Sequence, residues 1–254
     1  MKISAKEIAS LVRTLSKTAN TPHFTSAIIV AAGKGTRMQD ASGKTKQHLT
    51  LCGMPIVART LTAFEKCDKI NEIIIVAREE EMGEYERYAR EYSLTKISAV
   101  VSGGNTRQES VLRGFEAIDD KSEFVAIHDG ARCLITEENI DAVLHDAYAY
   151  GAATAATRAT DTVKRADSYG FITETVEREN LWAAQTPQVF KTELYRAAAY
   201  VAKEEGFTAT DDNALAEHVG FRVKLTDVGA DNIKITTKSD LFVAQAILNR
   251  REQK

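Results

Sequence analysis

The chain has 254 residues, 44% of them hydrophobic and 27% charged, which suits one large α/β domain or two small ones and excludes a mostly disordered or fibrous polypeptide. Lys plus Arg number 33 against 36 Asp plus Glu, a net charge of -3 at pH 7, so no global basic field draws the protein to nucleic acid and any bound anion must meet local positive charge. Cys52, Cys67 and Cys133 form no CxxC pair, which argues against a disulfide framework or a Cys-rich zinc site and for a reducing, cytoplasmic setting.

Residues 1–24 place Ile3, Ile8, Leu11, Val12 and Leu15 at roughly helical spacing beside Lys2, Lys6, Arg13 and Lys17. The expectation is an N-terminal surface helix, without the continuous apolar stretch of a secretory signal. From Thr25 onward, short apolar runs alternate with segments of helical periodicity, the pattern of βαβ units. Strands are expected at Ala27 to Ala32, Glu72 to Ala77, Ile97 to Val101, Phe124 to His128, Ala153 to Thr157 and Phe221 to Val228. All fall far short of the roughly 20 apolar residues that span a bilayer. Between Thr136 and Tyr150, Ile140, Val143, Leu144, Ala147 and Tyr148 form a helical stripe able to cover one sheet face. Strands apolar throughout imply helices on both faces, hence a three-layer α/β sandwich with a mainly parallel sheet. Residues 158–190 break the rhythm. Thr162 to Lys164 and Phe171 to Val176, joined by the polar Asp167-Ser-Tyr-Gly170, read as a projecting β-hairpin. A lone hairpin is marginal in water, so this arm is expected to make a homodimer. The reading is one domain over 25–254, carrying an arm at about 158–190.

The first strand runs into Ala31-Ala-Gly-Lys-Gly-Thr-Arg-Met38, a glycine-rich turn whose backbone N–H groups suit phosphate. Met38 occupies the third glycine of a dinucleotide fingerprint, which disfavours a dehydrogenase. Arg37 and Lys46 flank the loop and suit a triphosphate. A second glycine turn, Ser102-Gly-Gly-Asn-Thr-Arg-Gln-Glu-Ser110, follows the third strand, and His128-Asp-Gly-Ala-Arg132 follows the fourth. Ligands in such sheets bind outside the carboxyl ends of strands, so these turns are expected to line one crevice. Asp129 is a candidate Mg²⁺ ligand, with Asp231 as a second acid, because a hard cation prefers one or two carboxylates plus phosphates. Gly130 permits close approach there, and His128 reads as a packed residue.

Together these segments, with Lys46-Gln47, Asp161-Thr-Val-Lys164, Thr175-Val-Glu-Arg178, Gln185-Thr-Pro-Gln188, Thr210-Asp211 and Asp231-Asn-Ile-Lys-Ile-Thr236, resemble the 2-C-methyl-D-erythritol 4-phosphate cytidylyltransferases of non-mevalonate isoprenoid synthesis, from Thr25 to the end of the chain. The resemblance implies a Rossmann-like nucleotidyltransferase fold. It implies a nucleotide site of Ala31, Ala32, Gly33, Gly35, Arg37, Lys46, Gly104, Asn105, Ser110, Gly130 and Lys234. On the sugar-phosphate side it implies Asp129, Arg132, Thr162, Arg178, Thr186, Thr210 and Lys234, with Arg37, Lys46, Arg178 and Lys234 as the catalytic cations. The chain departs from the family pattern at Cys133, where a proline is usual, and at Asn105, where an aspartate is common. The implied reaction joins CTP to the alcohol phosphate and releases pyrophosphate. The alternatives are a ribitol 5-phosphate cytidylyltransferase and a non-catalytic nucleotide-binding module.

Overall fold

Alternation along the strands sends apolar side chains to both sides of one sheet, and two helical layers form to cover them. A computed structural model describes residues 22–33 and 45–253. The helix expected over residues 1–24 therefore falls almost wholly outside the described residues, as do Gly35 and Arg37. In chain order the strands are β1 (Thr25–Val30), β2 (Thr50–Leu51), β3 (Met54–Pro55), β4 (Glu72–Ala77), β5 (Ile97–Ser102), β6 (Phe124–Asp129), β7 (Ala152–Arg158), β8 (Lys164–Ala166), β9 (Ile172–Thr175), β10 (Trp182–Lys191) and β11 (Lys224–Asp227). The α-helices are α1 (Ile56–Lys66), α2 (Met82–Glu91), α3 (Arg107–Phe115), α4 (Glu137–Tyr150), α5 (Thr192–Glu205), α6 (Asp212–His218) and α7 (Lys238–Glu252).

Seven strands form the main sheet in the order β11-β7-β10-β6-β1-β4-β5. All pairings are parallel except those of β10, which runs antiparallel to both β6 and β7. Register puts Ile28 beside Ile74 and Ile127. On one face Ala27, Ile29, Ile73 and Ile75 pack with Leu61 and Phe64 of α1, Tyr85 and Tyr88 of α2, and Ile140 and Val143 of α4. On the other, Ile28, Val76, Val125 and Ile127 pack with Val111 and Phe115 of α3, Leu194 and Ala198 of α5, and Leu215 of α6. The expected three-layer α/β architecture is the one observed. α4 forms where its apolar stripe requires, with Thr136 capping its start and Gly151, at a φ of 85°, closing its end on the Ala147 carbonyl.

Two elements differ from expectation. The final strand begins at Lys224, because Phe221 turns away to join the core beneath α5 and α6. The stretch assigned to the hairpin also contains β10, a central strand. Its register shifts between Ala184 and Gln188, and the irregularity accommodates Pro187 where a regular ladder could not. The arm itself is β8 paired with β9. Asp167 accepts from the backbone N–H groups of Tyr169 and Phe171 to close its turn, where Gly170 adopts a φ of 87°. Tyr169, Phe171 and Ile172 on the arm are 85%, 73% and 64% exposed.

His128 ends the apolar part of β6 fully buried, as the sequence suggested. Asp129 N–H donates to Thr186 Oγ1 (3.1 Å), so the Thr186 hydroxyl is left to donate to His128 Nδ1 (3.0 Å), while His128 Nε2–H donates to the Arg132 carbonyl (3.2 Å). Both contacts suit a neutral ring, and burial lowers its pKa from 6.5 to about 3.

The packing carries two tests. A Cβ on Gly114 of α3 would lie 2.6 Å from Ile28 Cγ2 and 2.7 Å from Val76 Cγ2, so Gly114→Ala is expected to destabilise by about 1–3 kcal/mol through overpacking. Urea unfolding measures this; an unchanged midpoint would mean that the helix rides freely on the sheet. For His128, the unfolded chain takes up a proton below pH 6.5 that the folded chain refuses until about pH 3. Stability is therefore lost as pH falls through that window, by about 1.4 kcal/mol per pH unit from this group. His128→Gln is expected to flatten the slope between pH 6.5 and 5, and equal slopes in both proteins would contradict a neutral buried ring.

Candidate active site

Three strands that point the same way, β1, β5 and β6, release their glycine turns at one rim of the sheet, around a crevice of about 360 Å³. After β1, Ala31 N–H still bonds Val76 O (2.7 Å) before the chain turns at Gly33. Gln47 Nε2 donates to the carbonyls of Ala31 (3.0 Å) and Gly33 (3.4 Å), tying the far end of the loop back to its start. After β5, Gly103 passes so close to that turn that a Cβ would be 2.3 Å from Ala32 Cβ; only glycine fits. Gly104 N–H then donates to Ser110 Oγ (3.0 Å), which itself donates to Thr106 O (2.8 Å), and Asn105 N–H donates to Glu109 Oε2 (2.7 Å). The turn is thus stapled to the first turn of α3, whose cap is Thr106.

Asp129, the last residue of β6, occupies the floor. Lys234 Nζ approaches its Oδ2 at 2.8 Å, Arg132 Nε lies 3.7 Å from the same oxygen, and Arg107 Nε lies 3.6 Å from Oδ1. Burial opposes the carboxylate charge, but Lys234, Arg107 and Arg132 outweigh it and hold the pKa down to about 2. Asn232 fixes the segment that carries Lys234: its Nδ2 donates to Gln185 Oε1 (2.8 Å) and Thr186 O (2.9 Å), and its carbonyl accepts from Arg132 Nη1 (2.7 Å). Lys46 Nζ donates to Ile235 O (2.9 Å) on the opposite wall. Three cationic side chains gather on the buried Asp129 carboxylate and Lys46 also lines the crevice, an arrangement suited to polyanions.

Of the residues singled out from sequence, Ala32, Gly33, Lys46, Gly104, Asn105, Ser110, Asp129 and Lys234 line the crevice together. Ala31 is buried beneath them, and Arg132 packs beside Asp129. Gly130 serves close packing, since a Cβ there would come within 3.3 Å of Ala31 Cβ and Val30 O. Thr186 is buried behind Asp129, where it supports the floor from below. Thr162, Arg178, Thr210 and Asp231 do not line the crevice. Thr162 and Arg178 are exposed on the arm, where Arg178 donates to the Thr160 carbonyl. Thr210 is exposed just before Asp211, the cap of α6. Asp231 turns to Arg250 and Arg251 of α7, so the expected second carboxylate is not beside Asp129. Among the described residues no group of three or more acids, histidines or cysteines could hold a metal. Asp129 is the carboxylate that lines the crevice among the described residues, and one or two carboxylates plus substrate phosphates are a common setting for Mg²⁺.

Arg107, Gln47 and Asp212 also shape the site without having been assigned a role from sequence: Arg107 and Gln47 lie within the Ser102–Ser110 and Lys46-Gln47 motifs, and Asp212 follows Thr210-Asp211 directly. The Cys133 thiol, at the departure from the family pattern, is buried and its pKa is pushed up to about 12, so it packs as a small apolar group with Leu51 and Leu134. A larger hollow of about 660 Å³ runs along β11 beside Tyr150, Trp182, Arg222 and Lys224. Its lining has neither an acid nor a glycine turn, so the chemistry belongs to the smaller crevice.

Comparison with known proteins agrees with this geometry. The family model for 2-C-methyl-D-erythritol 4-phosphate cytidylyltransferase matches residues 25–250. Proteins of that name from Caldanaerobacter subterraneus subsp. tengcongensis and Geobacillus kaustophilus are 44% and 40% identical over 227 and 225 residues, covering 89% of this chain and 99% and 97% of theirs. A crystal structure of 4-diphosphocytidyl-2C-methyl-D-erythritol synthase from Anaerococcus prevotii superposes with a TM-score of 0.81 at 31% identity, covering 90% of this chain and 97% of that one. The matched span begins at β1 and runs through α7, taking in all three glycine turns and the Lys234 segment, and on that basis the chain belongs to the 2-C-methyl-D-erythritol 4-phosphate cytidylyltransferase family.

Proposed function

We infer that the protein transfers the cytidylyl group of CTP to 2-C-methyl-D-erythritol 4-phosphate and releases pyrophosphate, a step toward isoprenoid precursors by the non-mevalonate route. The observation that carries this reading is the crevice lined by Lys46, Arg107, Lys234 and Asp129, with Arg107, Arg132 and Lys234 gathered on the Asp129 carboxylate, within a chain matched to the family from residue 25 to 250. An oxygen of the alcohol phosphate attacks the α-phosphorus of CTP; a new P–O bond forms there as the bond to the oxygen bridging the β-phosphorus breaks, and pyrophosphate leaves with the electron pair. A phosphate monoester, with a second pKa near 6, is largely dianionic at neutral pH and needs no protein base. The protein has instead to hold two mutually repelling anions in line and to stabilise charge on the α-phosphate and the leaving group.

Lys46 and Lys234 both line the crevice and divide that work between triphosphate and incoming monoester. Arg37 joins Lys46 at the triphosphate by its place in the loop motif. Asp129 would hold Mg²⁺, which when bound supplies charge neutralisation across phosphate oxygens. The exposed Tyr169, Phe171 and Ile172 of the arm suit burial against a second copy in a homodimer, and a swapped arm would carry Thr162 and Arg178 toward the neighbouring crevice. Cys67 and Cys133 are buried free thiols and Cys52 an exposed one, which suits a reducing, cytoplasmic location. No described helix is long and apolar enough to cross a membrane.

Pyrophosphate release, measured with CTP or UTP and Mg²⁺ against each alcohol phosphate, tests the reading. Release with CTP and methylerythritol phosphate is expected; release with ribitol 5-phosphate alone, or with neither, overturns it. Lys46→Ala is expected to lower turnover by roughly 10² to 10³, the scale for losing one transition-state charge stabiliser. A loss under threefold would return Lys46 to the surface charges. Sizing of the active preparation is expected to show a dimer, and a fully active monomer would refute the arm's role.

A further inference from the structure

We propose that Arg107, clamped by the buried pair Asp212 and Tyr195, is a positioning residue for the transfer: it fixes the Asp129 carboxylate from the side opposite Lys234 and locks the nucleotide turn to the Thr210 segment. The inference rests on the cytidylyl-transfer reading and concerns residues outside the motif's expected contacts. Arg107 is the first residue of α3, so its backbone directly follows the glycine turn that ends at Thr106. Its guanidinium reaches across the rim. Nη1 donates to Asp212 Oδ2 at 2.7 Å, and Nε stands 3.6 Å from Asp129 Oδ1. Asp212, 1% exposed, opens α6 two residues after Thr210, and its other oxygen accepts from the Tyr195 hydroxyl at 2.9 Å. The start of α6 is itself immobilised, because Gln188 Oε1 accepts from the backbone N–H groups of Asp212 (2.9 Å) and Asn213 (3.2 Å). Asp212 therefore cannot follow the arginine; the arginine is aimed by Asp212.

The geometry requires arginine. A planar fork presents separate N–H groups to two carboxylates at once, whereas a lysine ammonium is a single point charge at the end of a flexible stem. Lys234 and Arg132 hold Oδ2 of Asp129, and among the described residues Arg107 is the ion-pair partner on the side of Oδ1. Burial opposes charge on Arg107, but Asp212 and Asp129 outweigh it and keep the guanidinium charged. Loss of the fork would let the Asp129 carboxylate turn about its bond and free the 103–106 turn from the 210–212 segment. Misplacement on the scale of an ångström is enough to cost on the order of 10²-fold in rate.

The test compares Arg107→Lys, Asp212→Asn and the double variant, as full chains, by pyrophosphate release with CTP, Mg²⁺ and methylerythritol phosphate, with kcat normalised to the folded fraction. Each single variant is expected to lower kcat at least tenfold while the KM for each substrate changes less than threefold. The double variant is expected to lose no more than the worse single, since both act through one geometry. If Arg107→Lys does not fold, Asp212→Asn, isosteric with the buried acid, carries the same expectation. A wild type without turnover overturns the functional reading and this proposal together. An active wild type with normalised kcat values within threefold in the variants overturns the proposal alone, leaving the clamp a purely structural pair.

Discussion

The buried carboxylate of Asp129 is the constraint on which the site depends. Cations gathered at the end of a sheet repel each other and lose hydration, and each is retained only if a fixed counter-charge lies within reach. Asp129 supplies that charge to Lys234, Arg107 and Arg132 from the last position of β6. Asp129 and Asp212 together serve three cations, Lys234, Arg107 and Arg132, so positive charge is left over at this end of the sheet. That surplus is directed, since it faces the crevice lined by Ala32 and Gly33 of one glycine turn and by Gly104 and Asn105 of the other. A protein with net charge of -3 thereby receives two anionic substrates without being basic.

Sheet topology explains why the acid is where it is. Strand β6 lies between β1 and β10 at the centre of the sheet, so its end cannot drift relative to the turn after β1. The antiparallel strand β10 brings Gln185, Thr186 and Gln188 beneath that end. Thr186 bonds Asp129 N–H and His128, Gln185 accepts from Asn232, and Gln188 accepts from the start of α6. A polar seam of this kind stabilises little in itself, because its members exchange water for one another. Its effect is specificity: a central strand whose buried side chains are half polar pairs satisfactorily in one register only.

The alternation of β and α segments was legible because the central strands are apolar on both faces, and so were the glycine turns and the crevice they share. Strand β10 was not, since the same Gln, Thr and Pro residues that support the floor erase its apolar signature. Spacing alone could not separate Asp231 from Asp129. Both follow a strand and neighbour basic residues, yet Asp231 pairs with α7, whose C-terminal arginines pass near it only after folding. Arg107 read as part of a helix start, because its two carboxylate partners are 22 and 105 positions distant in the chain. For Thr162 and Arg178, the arm carries them away from the crevice of their own chain, a consequence of hairpin direction that residue types do not encode.

Asp129→Asn removes the shared counter-charge while keeping the shape of the side chain. With the thermal midpoint and circular dichroism showing a folded protein, kcat for pyrophosphate release at saturating CTP and alcohol phosphate is expected to fall by at least about 10². A folded Asp129→Asn protein with kcat within threefold of the wild type would contradict the dependence on Asp129, because the cations would then be held in place without the carboxylate.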